Sequence, residues 1–361
     1  MDNPLLTLHT LGQRIWLDNL SRALLEDGTL KRLINEDALA GVTSNPTIFF
    51  KSISQSPHYR EQLAALGRES LTTAERRYEQ LAVRDIQQAC DMFHPLYVRT
   101  DGEDGYVSLE VSPTLAYDTN ATVAAGLRLK AEVNRANLLI KVPATKPGVA
   151  AIEQLIGQGC SVNVTLMFSL DHVRDVSEAY MNGMTRWIAR SDADPRPVKS
   201  VASLFLSRVD TLVDQRLEAI GGDALALRGQ AAVAFAKLAY EQYKQVFGGP
   251  CFAPLAAKGV RRQYLLWAST GTKNPAYSDL LYVEPLIGPE TINTLPDATL
   301  EALRDHGQPK LTLEQDLDQA RHVFAELARR GILMGQIGDE LQKDGVQLFH
   351  QSFEQLLALM E

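Results

Sequence analysis

The stretch NLLIKVPAT, residues 137–145, decides how the chain is read. Leu138, Leu139, Ile140 and Val142 make an apolar run of the kind found in parallel strands covered on both faces. KPGVAAIEQLIGQG follows at once with helical spacing, and Pro147 suits a first helical turn. A doubly covered strand that runs straight into a helix is half of a βαβ unit. Lys141 breaks the apolar run. Removing an ammonium from water is costly unless it is paired or loses its proton. A strand-end lysine can also lay its stem on apolar surface and keep its charge wet, so the rest of the chain has to decide what this one does.

Working outward, short apolar runs alternate with helical patterns, the mark of a parallel sheet with crossover helices. Strands are expected at 14–20, 40–46, 105–111, 137–143, 161–168, 199–206, 262–269 and 279–286. Eight is the number that closes a barrel. Helices are expected after the third, fourth and fifth strands, the last of them capped by Ser169, and before the seventh. The expected fold is therefore α/β, a single (β/α)8 TIM barrel, with residues 1–361 forming one domain. Extra helices enter after strand two, at about 47–104, and at the C-terminus, at about 290–361. Thr72 with Glu75 fits a capping box in the first set, and Thr312 with Gln315 in the second.

Composition narrows the function. The chain has 361 residues, is 45% hydrophobic and 22% charged, and carries a net charge of -8. That balance argues against nucleic acid or a membrane surface as the main partner. No apolar run approaches the ~20 residues of a membrane span. The opening MDNPLLTLHTLGQRIW lacks a basic region followed by a long apolar stretch, so no signal peptide is expected and the cytoplasm is. Cys90, Cys160 and Cys251 are scattered, with no CxxC or HExxH, and read as free thiols with no metal site.

Alternate residues of a barrel strand face the lumen, and those near the strand's C-terminal end face the mouth where barrel chemistry occurs. Polar residues two apart near such ends stand out: Thr43 and Asn45, Ser108 and Glu110, Asn163 and Thr165. Asp18 lies two beyond Trp16, Ser203 two before Phe205, and Lys141 shares parity with Leu139 and Pro143. A single buried polar group is usually a satisfied core residue. Several strands offering one at the same end would be costly as structure alone. A lysine in a partly apolar site can lose its proton, attack a carbonyl and form a Schiff base, which draws electrons from the adjacent carbon–carbon bond. Making or breaking that bond needs acid/base groups. Asp18 and Glu110 are the carboxylates at hand, and Asn45 and Asn163 can hold hydroxyls. Arg208 and the STGTK turn, 269–273, offer donors for phosphate where barrels often bind it. STGTK lacks the GxxxxGK[ST] spacing of a nucleotide loop.

At GVTSNPTIF, VSLEVSP, LLIKVPAT and NVTLMFS together, the chain resembles the transaldolase family, most closely its longer bacterial form. The resemblance runs from about residue 10 to the C-terminus and is strongest over the first five strands. It implies transfer of a dihydroxyacetone unit between sugar phosphates in the pentose phosphate pathway, without cofactor or metal. By the resemblance, Lys141 is the Schiff-base lysine and Asp18 the base at the donor's C4 hydroxyl. Glu110 is the acid/base that acts through a water held by Thr165. Asn45, Asn163 and Ser203 hold the substrate, with Thr43 and Phe205 expected beside them from strand parity, and Arg208, Ser269 and Lys273 form the phosphate site. Shorter relatives place an arginine soon after the strand-seven serine, where this chain has the longer STGTK. Phe205 resembles the transferase choice, where tyrosine would favour the related aldolase that releases free dihydroxyacetone. A sugar-phosphate-binding barrel without catalysis would be expected to lack the lysine or a carboxylate. Monomer and homodimer both stay open.

Overall fold

A computed structural model describes residues 3–67, 73–190 and 194–361. Eight parallel strands close a barrel in chain order: β1 Gln13–Leu17, β2 Leu39–Val42, β3 Tyr106–Glu110, β4 Leu138–Pro143, β5 Val162–Met167, β6 Ser200–Phe205, β7 Tyr264–Ala268 and β8 Thr291–Leu295. The expected (β/α)8 fold is thus found. Just past β4, Thr145 caps the helix Lys146–Ile156, its side chain accepting from Gly148 N, and Pro147 lies in the first turn. Ser169 caps Leu170–Ile188 by accepting from His172 N. Each cap satisfies a donor that the first helical turn leaves open.

One strand is not where the sequence pointed. Residues 279–286 form turns and a short 3-10 segment, Glu284–Leu286, and the eighth strand is TINTL at 291–295. The apolar run lies on the outer wall of the barrel, and Pro285 has no N–H to give a ladder. There the Leu286 carbonyl accepts from Gln13 Nε2 at 2.7 Å and Trp267 Nε1 at 3.1 Å, and the Tyr282 carbonyl from Asn293 Nδ2 at 3.0 Å. The real strand was obscured because its outward residues are polar in order to make these bonds.

The helices expected at 47–104 are Pro46–Gln55, Arg60–Leu66 and Ala74–Arg99, with a 3-10 turn between the first two. Thr73 caps the last, accepting from Arg76 N; Thr72 lies outside the described residues. At the C-terminal end, Thr312 does not start a helix. Its hydroxyl donates to the Glu284 carbonyl and accepts from Ile287 N, and the helix begins at Leu317. The long C-terminal helix, Met334–Ala358, folds back onto the barrel and the insertion: Tyr78 stands edge-on to both Phe49 and Phe353, at 5.7 and 5.6 Å. No described helix is long and apolar enough to cross a membrane.

Candidate active site

Strand register brings the polar residues level. Glu110 pairs with Lys141, and Lys141 with Asn163, across β3, β4 and β5. Equal height and equal parity send all three side chains into the lumen. Lys141 is 3% exposed; its Nζ donates to the Ser44 carbonyl at 3.2 Å and stands 3.2 Å from Glu110 Oε2. That second contact is an ion pair without hydrogen-bond alignment, since Glu110 Oε2 is one of the buried oxygens with no hydrogen-bond partner. Burial holds the Glu110 carboxyl above the ordinary carboxylate range, although Lys141 pulls it down.

Asp18 follows β1, and its Oδ1 accepts from the Thr43 hydroxyl at 2.7 Å; Thr43 and Thr294 share a further hydrogen bond at 2.8 Å. Part of Asp18 remains accessible at the mouth, yet dense protein surrounds it. That burial raises its carboxyl against the lowering pull of Lys141 and the Thr43 bond. Asn163 is tied on both sides, accepting from Ser203 at 2.7 Å and donating to Ser108 Oγ at 3.0 Å. Asn45 uses its carbonyl oxygen to cap Pro46–Gln55, accepting from Ile48 N at 2.9 Å, which leaves the amide NH2 for another partner. Thr165 Oγ1 is buried and unpartnered. A native interior leaves few such groups, and here two, Glu110 Oε2 and Thr165 Oγ1, lie on lumen-facing positions beside or one strand from Lys141.

A cavity of about 300 Å³ opens above this layer. Asp18, Thr43, Asn45, Lys141, Ser203, Phe205, Arg208, Ser269 and Lys273 line it. Glu110, Asn163 and Thr165 stand behind its wall. The cation end clasps the start of the helix Ser207–Ile220 to the turn after β7: the Ser207 and Ser269 hydroxyls share a hydrogen bond at 2.8 Å, and Ser207 N donates to the Ser269 carbonyl. Ser269 holds a left-handed φ of 53°, a conformation that costs a non-glycine residue and tends to occur at functional turns. Arg208 is half-buried, its Cζ 5.5 Å from the Phe205 ring, and its Nη1 has no hydrogen-bond partner. Lys273 is exposed at the rim.

A family profile described as Transaldolase/Fructose-6-phosphate aldolase matches residues 15–360. The chain belongs to the transaldolase/fructose-6-phosphate aldolase family. Its relatives include a transaldolase from Thiobacillus denitrificans, 57% identical over 96% of this chain and 97% of its own. A transaldolase from Neisseria gonorrhoeae is 46% identical over the same shares, and one from Mycolicibacterium smegmatis 45% identical over 98% and 96%.

In this member of the transaldolase/fructose-6-phosphate aldolase family, Thr294 and Phe349 are among the cavity residues that the sequence did not reveal. Thr294 sits on the strand that was misplaced, and its lumen parity shows only once β8 is known. Phe349 comes from the C-terminal helix, where an apolar helix position gives no hint of which surface it covers. Among the described residues, no group of three or more His, Cys, Asp or Glu side chains could hold a metal ion.

Proposed function

We propose that the chain is a transaldolase. It moves a dihydroxyacetone unit from sedoheptulose 7-phosphate or fructose 6-phosphate to glyceraldehyde 3-phosphate or erythrose 4-phosphate, a step of the non-oxidative pentose phosphate pathway in the cytoplasm. The observation that carries this reading is the buried Lys141–Glu110 contact beside Asp18, in a cavity whose far end holds Arg208. Lys141 adds to the donor's C2 carbonyl, and Glu110, through a water held by Thr165, moves the protons that expel hydroxide as water and leave an iminium. Asp18 takes the C4 hydroxyl proton, the C3–C4 bond breaks, and the aldose leaves. The enamine then adds to the acceptor aldehyde, Asp18 returns the proton, and water releases the new ketose. Asn45 and Asn163 hold hydroxyls of the intermediate; Arg208, Ser269 and Lys273 hold the phosphate.

The second reading, an aldolase that frees dihydroxyacetone, is disfavoured by Phe205 in the lumen, which offers no hydroxyl to protonate the enamine. The deciding experiment supplies fructose 6-phosphate with erythrose 4-phosphate and follows sedoheptulose 7-phosphate. Its absence from an enzyme that folds would overturn the proposal.

A further inference from the structure

The C-terminal helix Met334–Ala358 crosses the mouth from one side to the other. Gln342 Nε2 donates to the carbonyls of Ala144, just past β4, at 2.8 Å and of Leu166 in β5 at 3.1 Å. Leu166 has a left-handed φ of 59°, and the β5–β6 register shifts there, so this latch closes on an irregular strand end. The helix can lie this low because of its glycines. A Cβ on Gly338 would stand 2.6 Å from Ser169 Cβ, and one on Gly345 would stand 2.9 Å from Leu166 Cδ2. At the far side, past β2, Thr47 donates to the Ser352 hydroxyl at 2.9 Å. Phe349 falls between these anchors, over the middle of the mouth. It is 3% exposed, and its ring lies 5.8 Å from Lys141 Nζ and 5.8 Å from Arg208 Cζ.

The position matters because of what the enamine can do. If its nucleophilic carbon bonds the acceptor aldehyde, the unit is transferred. If that carbon takes a proton from water, a C–H bond forms and leaves an iminium. Water adds at C2, the C–N bond breaks, and dihydroxyacetone and the Lys141 amine are released, the net consumption being one water. Both routes hydrolyse an iminium in the end, so the site has to admit water beside the nitrogen while denying protons to the carbon. Glu110 lies on the nitrogen's barrel side at 3.2 Å; the apolar ring lies on its mouth side. We infer that Phe349 is a specificity-determining residue, a wall from the C-terminal helix that keeps solvent protons from the enamine and thereby favours transfer over release. Closing a site against water guards reactive intermediates in just this sense. The inference rests on the Schiff-base reading given above.

The test measures, for the full chain, free dihydroxyacetone formed from fructose 6-phosphate alone against sedoheptulose 7-phosphate formed when erythrose 4-phosphate is added. Phe349→Ala should raise the release-to-transfer ratio roughly tenfold, a change of ~1.4 kcal/mol between two barriers. Phe349→Leu, which keeps much of the apolar volume, should raise it less, and carries the test if the alanine variant does not fold. Leu348→Ala, at an exposed neighbour on the same helix, should leave the ratio as it is. An unchanged ratio in a folded Phe349 variant, or an equal rise in Leu348→Ala, overturns the inference. A wild-type enzyme that neither transfers nor forms a borohydride-trapped adduct on Lys141 would instead sink the reading beneath it.

Discussion

Glu110 Oε2 stands 3.2 Å from Lys141 Nζ, and the two charges meet without an aligned hydrogen bond. A buried pair built for stability satisfies its lone pairs, because desolvation otherwise outweighs the attraction. Another buried lysine, Lys199, is built that way: its Nζ donates to Glu103 at 2.9 Å and sits 4.3 Å from the face of Tyr264. Lys199 begins the run into β6, at the end of the barrel that serves stability, whereas Lys141 points to the mouth. One lysine is finished; the other is left ready to exchange a partner.

Trapping should separate them. Borohydride with fructose 6-phosphate should fix a three-carbon adduct on Lys141 and none on Lys199. Lys141→Arg should be inactive in the coupled assay, because a guanidinium stays protonated and cannot attack a carbonyl. Peptide mapping that finds the adduct elsewhere removes Lys141 from its role.

The cation end makes a separate claim. Arg208 has an unpartnered buried Nη1 and Lys273 stands at the rim, so each is free to bind phosphate. Alanine at either should weaken use of fructose 6-phosphate and erythrose 4-phosphate by roughly 1.5–3 kcal/mol in kcat/KM, the worth of a charged hydrogen bond. The loss should fall mainly in KM, and unphosphorylated analogues should be spared. Equal losses for both substrate sets would make these residues part of the scaffold.

What the sequence made legible follows from parity. Asp18, Thr43, Glu110, Lys141, Asn163 and Ser203 could be found because a strand alternates faces, and a polar residue two from another near the strand end has one place to go. The same rule failed at TINTL, where Thr291 and Asn293 are polar for the outer wall and Thr294 for the lumen, so no face looked apolar. Thr312 failed for another reason: its hydroxyl had a tertiary carbonyl to bond, and that outcompeted a helix cap. Phe349 could not be read at all, since helical periodicity reports a buried face without saying what it is buried against.

Asp210 offers a test by pH. On the helix Ser207–Ile220 it accepts from Ala232 N at 2.8 Å and the Tyr282 hydroxyl at 2.9 Å, and so ties the misread 279–286 segment to the barrel. Burial pushes its carboxyl up to about 7. A raised carboxyl favours the fold in its protonated form. Its contribution is full below the unfolded value of ~3.9 and is lost as pH climbs through about 7. Asp210→Asn cannot titrate, so the Tm of the wild type minus that of the variant should shrink between about pH 4 and about pH 7 and level off above. A constant difference across that window would show that Asp210 stays ionised in the fold.

The two candidate carboxylates share a cause for their raised pKa, burial, and differ in what they touch. Asp18 is held by the Thr43 hydroxyl at the mouth, where the C4 hydroxyl of a ketose bound to Lys141 would come; Glu110 touches the nitrogen itself. Each should contribute ~10²–10⁴-fold as an acid or base, so both amide variants should be slow. They should stall at different points. Asp18→Asn can form the Schiff base but not break the C3–C4 bond, so denatured-state mass spectrometry after borohydride should show the intact six-carbon ketose on Lys141. Glu110→Gln should be slow to form any adduct, because the protons that carry the carbinolamine to the iminium have lost their carrier. If Asp18→Asn yields only the three-carbon adduct, cleavage proceeds without Asp18, and the base at C4 has to be sought among the other groups lining the cavity.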